Sequence, residues 1–168
     1  MFDVGQKVTY GIHGVCTVTA MESMNLGKGR AKYYVLEPAA QPGARFYIPV
    51  ENQAAVAKLR PLMSREELLA LLHDDEVRNA PFITDESQRK LRYRELITSG
   101  DRAQLMGMIG ALHRHKQAQL AVGRTFHLSD ENFLSDAQKL LNAEFAQVFE
   151  LEPGEVNAFI LRELENTH

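Results

Sequence analysis

Cysteine is nearly absent from this chain. One residue of that type, Cys16, in 168 positions leaves nothing from which to build a disulfide framework, and it fits a reducing compartment. Long apolar runs are missing as well: no uninterrupted stretch approaches the ~20 residues a membrane helix requires, so no membrane partner is expected. The opening Met1-Phe2-Asp3-Val4-Gly5 has no basic region followed by an apolar run, and no signal peptide is expected. Histidine is scattered. His73, His127 and His168 stand apart, and His113 and His115 are two positions apart, a poor spacing for one face of a helix. With a single cysteine and no compact histidine set, a zinc site is not expected. Gly27-Lys28-Gly29 matches neither a Walker phosphate loop nor a dinucleotide fingerprint. The acidic runs Asp74-Asp75-Glu76, Asp130-Glu131 and Glu150-Leu151-Glu152 read as helix ends and solvated faces, not as an acid/base pair. Neither catalysis nor a cofactor or metal is expected.

What is present begins with TYGIHGVCTV, residues 9–18, which brings His13 and Cys16 within three positions. A Cys–His nucleophile needs the two side chains in contact and a third group to orient them. The pair flanks a glycine bend, and the sequence leaves contact or separation open. Cys16, flanked by Val15 and Val18, reads as a small buried residue. Gly11 and Gly14 suit a tight bend, since neither has a Cβ to clash.

The first fifty residues are strand-like. Runs at 7–10, 15–21, 32–37 and 45–50 are separated by Asn25–Arg30 and by Pro38–Gly43, both plausible turns. Short strands with no helix between them predict a small curled sheet or barrel. Past Pro61 the period changes. Ser64-Arg65-Glu66-Glu67 is a capping-box start, followed by Leu68, Leu69, Leu71, Leu72 and Val77 on one face. A basic helix is expected from Ser87 to about Ile97. Asp101 caps the next, which carries Leu105, Met108, Ile109 and Leu112 toward Leu120 and stops at Gly123. Gly107 and Gly110 weaken that helix unless a close neighbour compensates. Ser129-Asp130-Glu131 starts a helix with an apolar stripe through Ala137, Leu141, Phe145 and Phe149, and Pro153-Gly154-Glu155 opens a last short one. The fold class is therefore α+β: a small β domain over residues 1–60, then a compact all-helical domain over residues 64–168.

Formal net charge is -3, but it is unevenly placed. Residues 81–128 hold eight Lys and Arg against four acids, and residues 129–168 hold two against nine. Local potential governs contact with a phosphate backbone, so the total does not exclude one. Arg89-Lys90-Leu91-Arg92-Tyr93-Arg94 is the strongest nucleic-acid candidate, with Arg102, Arg114, Lys116 and Arg124 as extensions if folding gathers them. In the β domain, Tyr10, Tyr33, Tyr34, Phe46 and Tyr47 are dense. Alternation puts one member of each adjacent pair in the core and the other outward, beside an edge able to accept a partner strand.

MFDVGQKVTYGIHGVCTV, KYYVLEP, RFYIPVEN, LRPLMSREE, Ser99-Gly100-Asp101, the Leu105–Leu112 segment and FLSDAQKLLNAEFAQVF, taken in that order, resemble the CarD family of bacterial transcription regulators, in its low-GC Gram-positive branch. The resemblance implies a Tudor-like RNA polymerase-interacting domain, shared with transcription-repair coupling factors, that docks on the polymerase β subunit. The contacts expected for it are Arg30, Lys32, Tyr33, Tyr34, Arg45, Phe46, Tyr47, Ile48 and Pro49. It also implies that the helical domain approaches promoter DNA beside the melted region and modulates open-complex stability. Phe82, Arg89, Lys90, Arg92, Arg94, Arg114 and Lys116 are the expected contacts, made through phosphates. The chain has no tryptophan, whereas the family pattern places one before the basic helix; alignment puts either Glu86 or Phe82 there. Phenylalanine suits an apolar wedge and glutamate does not. The implied protein is a non-enzymatic, cytoplasmic regulator, associated with the nucleoid through polymerase and monomeric when free. The alternatives are a polymerase-bound scaffold without DNA contact and a Cys/His-dependent enzyme.

Overall fold

The computed structural model describes residues 1–165; His168 lies outside the described residues. The architecture is α+β: a five-stranded antiparallel sheet comes first and an all-helical region follows. The chain divides into two compact units, the first Met1–Leu62 and the second from Met63 onward.

In the first unit, β1 (Lys7–Tyr10), β2 (Val15–Asn25), β3 (Arg30–Pro38), β4 (Phe46–Pro49) and β5 (Leu59–Pro61) lie in the order β4-β3-β2-β1-β5. A one-turn helix, α1 (Gln53–Val56), is capped by the Asn52 side chain and precedes β5. Between β1 and β2 the chain makes a 3₁₀ turn over Gly11–His13, with Gly11 at φ 48° and Gly14 at φ 73°. Both values lie in the left-handed region that side chains resist, so the two glycines are the means of the bend. Register puts Val8 opposite Cys16 and Tyr34 opposite Ile48, and these side chains share a core with Phe2, Val18, Leu36 and Leu59. A bulge between Val18 and Ala20 interrupts the β2–β3 ladder, which increases local twist and curls the sheet.

The second unit contains α2 (Arg65–Leu72), α3 (Asp75–Arg78), α4 (Glu86–Ser99), α5 (Arg102–Ala121), α6 (Leu128–Phe149) and α7 (Val156–Glu165). Ser64 and Glu67 form the capping box at α2. The helix expected to run on toward Val77 breaks instead at His73, because the Asp74 carboxylate accepts the amides of Glu76 and Val77 and starts α3 afresh. Asp85 caps α4 and Asp101 caps α5, while Gly100 closes α4 in the left-handed conformation. Helix α5 stops at Ala121, two residues short of Gly123. Ser129 lies inside α6, whose cap position is His127. The buried faces of these helices form one core, with Leu68, Leu72, Leu105, Ile109, Leu112, Leu141, Phe145 and Ile160 at its centre. Gly107 and Gly110 are both buried on α5. A Cβ at Gly107 would meet the Ala80 Cβ at 2.9 Å, so the glycine lets that segment approach the helix.

Candidate docking edge and basic helix

Strand β4 has only β3 beside it, so its other side is a free sheet edge. Four residues long, it pairs Phe46 with Leu36 and Tyr47 with Val35. Opposed antiparallel residues share a face, so Phe46 and Ile48 point toward the core side and Tyr47 to the other. Tyr47 is 41% exposed, and Arg45 just before β4 and Arg30 and Lys32 at the start of β3 are exposed as well. None of those three cations forms an ion pair with a described residue, so the edge has an uncompensated positive rim. At its start, the rings of Phe46, Tyr10 and His13 cluster, with centroids 5.4 Å apart for Phe46–Tyr10 and 4.4 Å for Phe46–His13.

Three expected contacts are corrected by burial. Tyr34 and Ile48 are core residues of the sheet, and Tyr34 accepts the Phe2 amide through its hydroxyl. Tyr33 is buried as well. Arg30, Lys32, Arg45 and Tyr47 are exposed, with Phe46 and Pro49 half-buried.

His13 and Cys16 occupy different surroundings. His13 is exposed and tilts against Phe46, while Cys16 is fully buried between strands. Burial pushes the Cys16 thiol up to about 11, so at neutral pH it is a protonated core side chain with little nucleophilic character. Among the described residues no group of three or more His, Cys, Asp or Glu side chains is placed to hold a metal ion.

On the helical unit the basic block separates by helical phase. Arg89, Tyr93 and Leu96 fall on the inner face of α4. Arg89, expected to touch phosphate, is buried. Its Nε donates to Asp130 Oδ1 at 2.9 Å, and Nη1 donates to the carbonyl of Ile83 at 3.0 Å. Its guanidinium also lies 4.7 Å from the Phe82 ring. Phe82 in turn is half-buried and stacks on His115 at 3.8 Å and 8°. The expected wedge is therefore stowed against α5. Arg114, though exposed, donates to the carbonyls of Arg78 and Ala80, so it braces the segment before α4. Lys116 pairs with Glu131 at 2.9 Å. Lys90 pairs with Glu86 at 3.0 Å, and that lysine's hydrogen bond and charge hold the Glu86 carboxyl below the usual carboxylate range. Arg92 bonds Glu95 and Gln104 but stays half-exposed. Of the seven expected DNA contacts, Arg94 and Arg114 are exposed and without an ion pair among the described residues, and Arg114 is engaged by backbone carbonyls; Arg124, named as an extension, is a further exposed cation without an ion pair among them.

Two acids went unrecognised as partners. Asp130 read as a helix-start residue and Glu144 drew no attention, yet both are buried. Glu144 takes Arg102 in a two-pronged pair at 2.7 and 2.9 Å and accepts the Met63 amide at 3.0 Å. The signal was positional. Asp130 precedes Phe133 and Leu134 by three and four residues, and Glu144 adjoins Phe145 three positions after Leu141, so both sit on the apolar stripe of α6.

No helix among the described residues is long and apolar enough to cross a membrane. Residues 2–63, which take in nearly all of the sheet unit, match the family model described as the CarD-like/TRCF RID domain.

Proposed function

We propose that this protein is a non-catalytic bacterial transcription regulator whose Tudor-like sheet unit docks on the β subunit of RNA polymerase and whose helical unit modulates the promoter open complex. The family match over residues 2–63 carries this reading. The free edge of β4 suits strand addition: main-chain hydrogen bonds supply affinity, and the aromatic residues with Arg30, Lys32 and Arg45 supply selectivity for an acidic partner strand. The promoter contact is narrower than the basic block suggested. It rests on Arg94, with Arg92 and Lys90 beside it on the exposed side of α4 and with Arg124; Phe82 is not a wedge while it is stacked on His115. The protein then acts in the cytoplasm, at the nucleoid, wherever polymerase carries it, and it is a monomer when free.

One observation favours a second reading, a polymerase-bound scaffold that touches protein instead of DNA. Four of the six basic candidates, Arg89, Lys90, Arg92 and Lys116, are paired with acids of the chain itself.

The test uses the full chain in two stages. Capture of core polymerase is expected from the unaltered protein and is expected to weaken at least tenfold in Arg45→Glu combined with Lys32→Glu. Unchanged capture sinks the docking edge. Footprinting of polymerase on promoter DNA then separates the two readings: Arg94→Glu with Arg92→Glu weakens upstream protection if DNA is touched and leaves it intact for the scaffold.

A further inference from the structure

The helical unit contains a half-open groove of about 510 Å³ that none of the proposed contacts uses. Its size falls within the usual range of ~300–1,000 Å³ for small-molecule sites. Val77, Ala80, Leu96, Ala103, Gly107 and Met108 supply its apolar wall. Ala80 and Ala103 are the short side chains of that wall. Gly107 in mid-helix costs ~1 kcal/mol of propensity relative to alanine, and Ala80 sits where its side chain would be, 2.9 Å from the position of a Cβ. Charge on the lips is unequal. Arg92 is already bonded to Glu95 and to the Gln104 amide oxygen, the latter at 2.9 Å. The same groove is lined by Asp74, whose carboxylate caps α3, and Glu76, exposed and without an ion pair among the described residues.

From this combination we infer that the groove is a binding site for a small amphipathic amine, an aromatic or aliphatic body seated against Ala103 and Ile83 with its ammonium against Glu76. An apolar body removes the partly exposed Leu71, Ile83 and Ala103 from water, and a cation answers the lip charge that Arg92 does not offset. A carboxylate head would face Glu76 and Asp74 and be repelled. The site is independent of the polymerase reading, since no residue of the docking edge belongs to it.

The experiment titrates the full-length, ¹⁵N-labelled protein with three probes of similar shape: 2-phenylethylamine, 2-phenylethanol and 3-phenylpropionate. Probes this small reach dissociation constants of about a millimolar at best, so amide shifts are the suitable readout. Saturable shifts of the Val77, Ala103 and Gly107 amides by the amine are expected, with the alcohol weaker by about threefold to fivefold, the worth of one exposed charge pair. Glu76→Gln should bring the amine down to the alcohol. Ala103→Phe should abolish binding by filling the groove. Pro81→Trp, at an exposed position on the mouth, should do the same without entering the core, which guards against a misfolded first variant. Absence of saturable shifts with the amine overturns the proposal, as does a carboxylate or alcohol that binds as tightly as the amine. Binding that survives both occluding variants overturns it too.

Discussion

Removing either member of the Arg89–Asp130 pair strands the other inside the helical core. Both side chains are almost wholly buried, at 5% and 0% exposure, and the guanidinium also holds the carbonyls of Ile83 and Thr84. An uncompensated buried charge costs about 3–5 kcal/mol, whereas replacing both by apolar groups of similar volume is often far milder. Asp130→Ala should therefore lower the urea midpoint strongly at unchanged slope, and Arg89→Met with Asp130→Leu should recover much of that loss. Equal losses in the single and double variants would mean that the pair is not what holds this corner. Two other residues set an alkaline limit. Burial raises Cys16 from an ordinary value of 9 to about 11 and Tyr93 from 10 to about 12. A proton held more tightly in the folded chain stabilises it fully below the unfolded value and ceases to do so as pH climbs through the folded one. Stability should thus decline from about pH 9 upward. Cys16→Ala should flatten the part between 9 and 11, and Tyr93→Phe the part between 10 and 12, in urea midpoints read across that range.

At the scale of elements, local chemistry and distant partners divide what sequence alone reveals. The Ser64 capping box is complete within four residues and was legible; Ser64→Ala should cost about 1 kcal/mol in a thermal melt. Asp101 before α5 was legible for the same reason. Strand β5 was not, because three residues become a strand only by pairing with β1 some fifty positions earlier, and α1 is a single turn with no periodicity to detect. The start of α6 misled because a serine followed by two acids fits a cap, yet the helix begins one residue earlier at Leu128. The basic block misled by composition: six residues dense in charge look solvated, although Arg89, Tyr93 and Leu96 at spacings of four and three trace the inner face of α4. Gly107 tests how far packing overrides propensity. Alanine there gains up to ~1 kcal/mol of helix preference, but its Cβ would fall 2.9 Å from that of Ala80. Gly107→Ala should therefore destabilise the protein, and adding Ala80→Gly should restore it above either single variant, as a double-mutant cycle in urea would report. A stabilised Gly107→Ala would show that the segment before α4 moves aside freely.

For the whole molecule the deciding quantity is how little positive charge is left to meet DNA once internal pairs are formed. The chain carries a formal net charge of -3, and on the helical unit Arg89, Lys90, Arg92, Arg102 and Lys116 all have acidic partners. Non-specific DNA affinity comes from cations that displace counterions, so the few exposed cations of the helical unit without an ion pair among the described residues, Arg94, Arg124 and Lys139 among them, give very little of it at physiological salt. Docking changes the arithmetic. On the proposed reading, a sheet unit fixed to polymerase would present the helical unit to promoter DNA at an effective concentration of order millimolar, at which even a weak phosphate contact is occupied. The protein alone should accordingly show no measurable shift of duplex DNA at physiological salt, while polymerase should recruit it to promoters with a shallow salt dependence. Arg94→Glu should reduce the logarithmic slope of that recruitment by about one, the signature of one lost phosphate contact, and leave capture of free polymerase unchanged. A slope that does not move, with promoter occupancy intact, would assign the helical unit to a protein surface and leave the docking edge as the whole of the interaction.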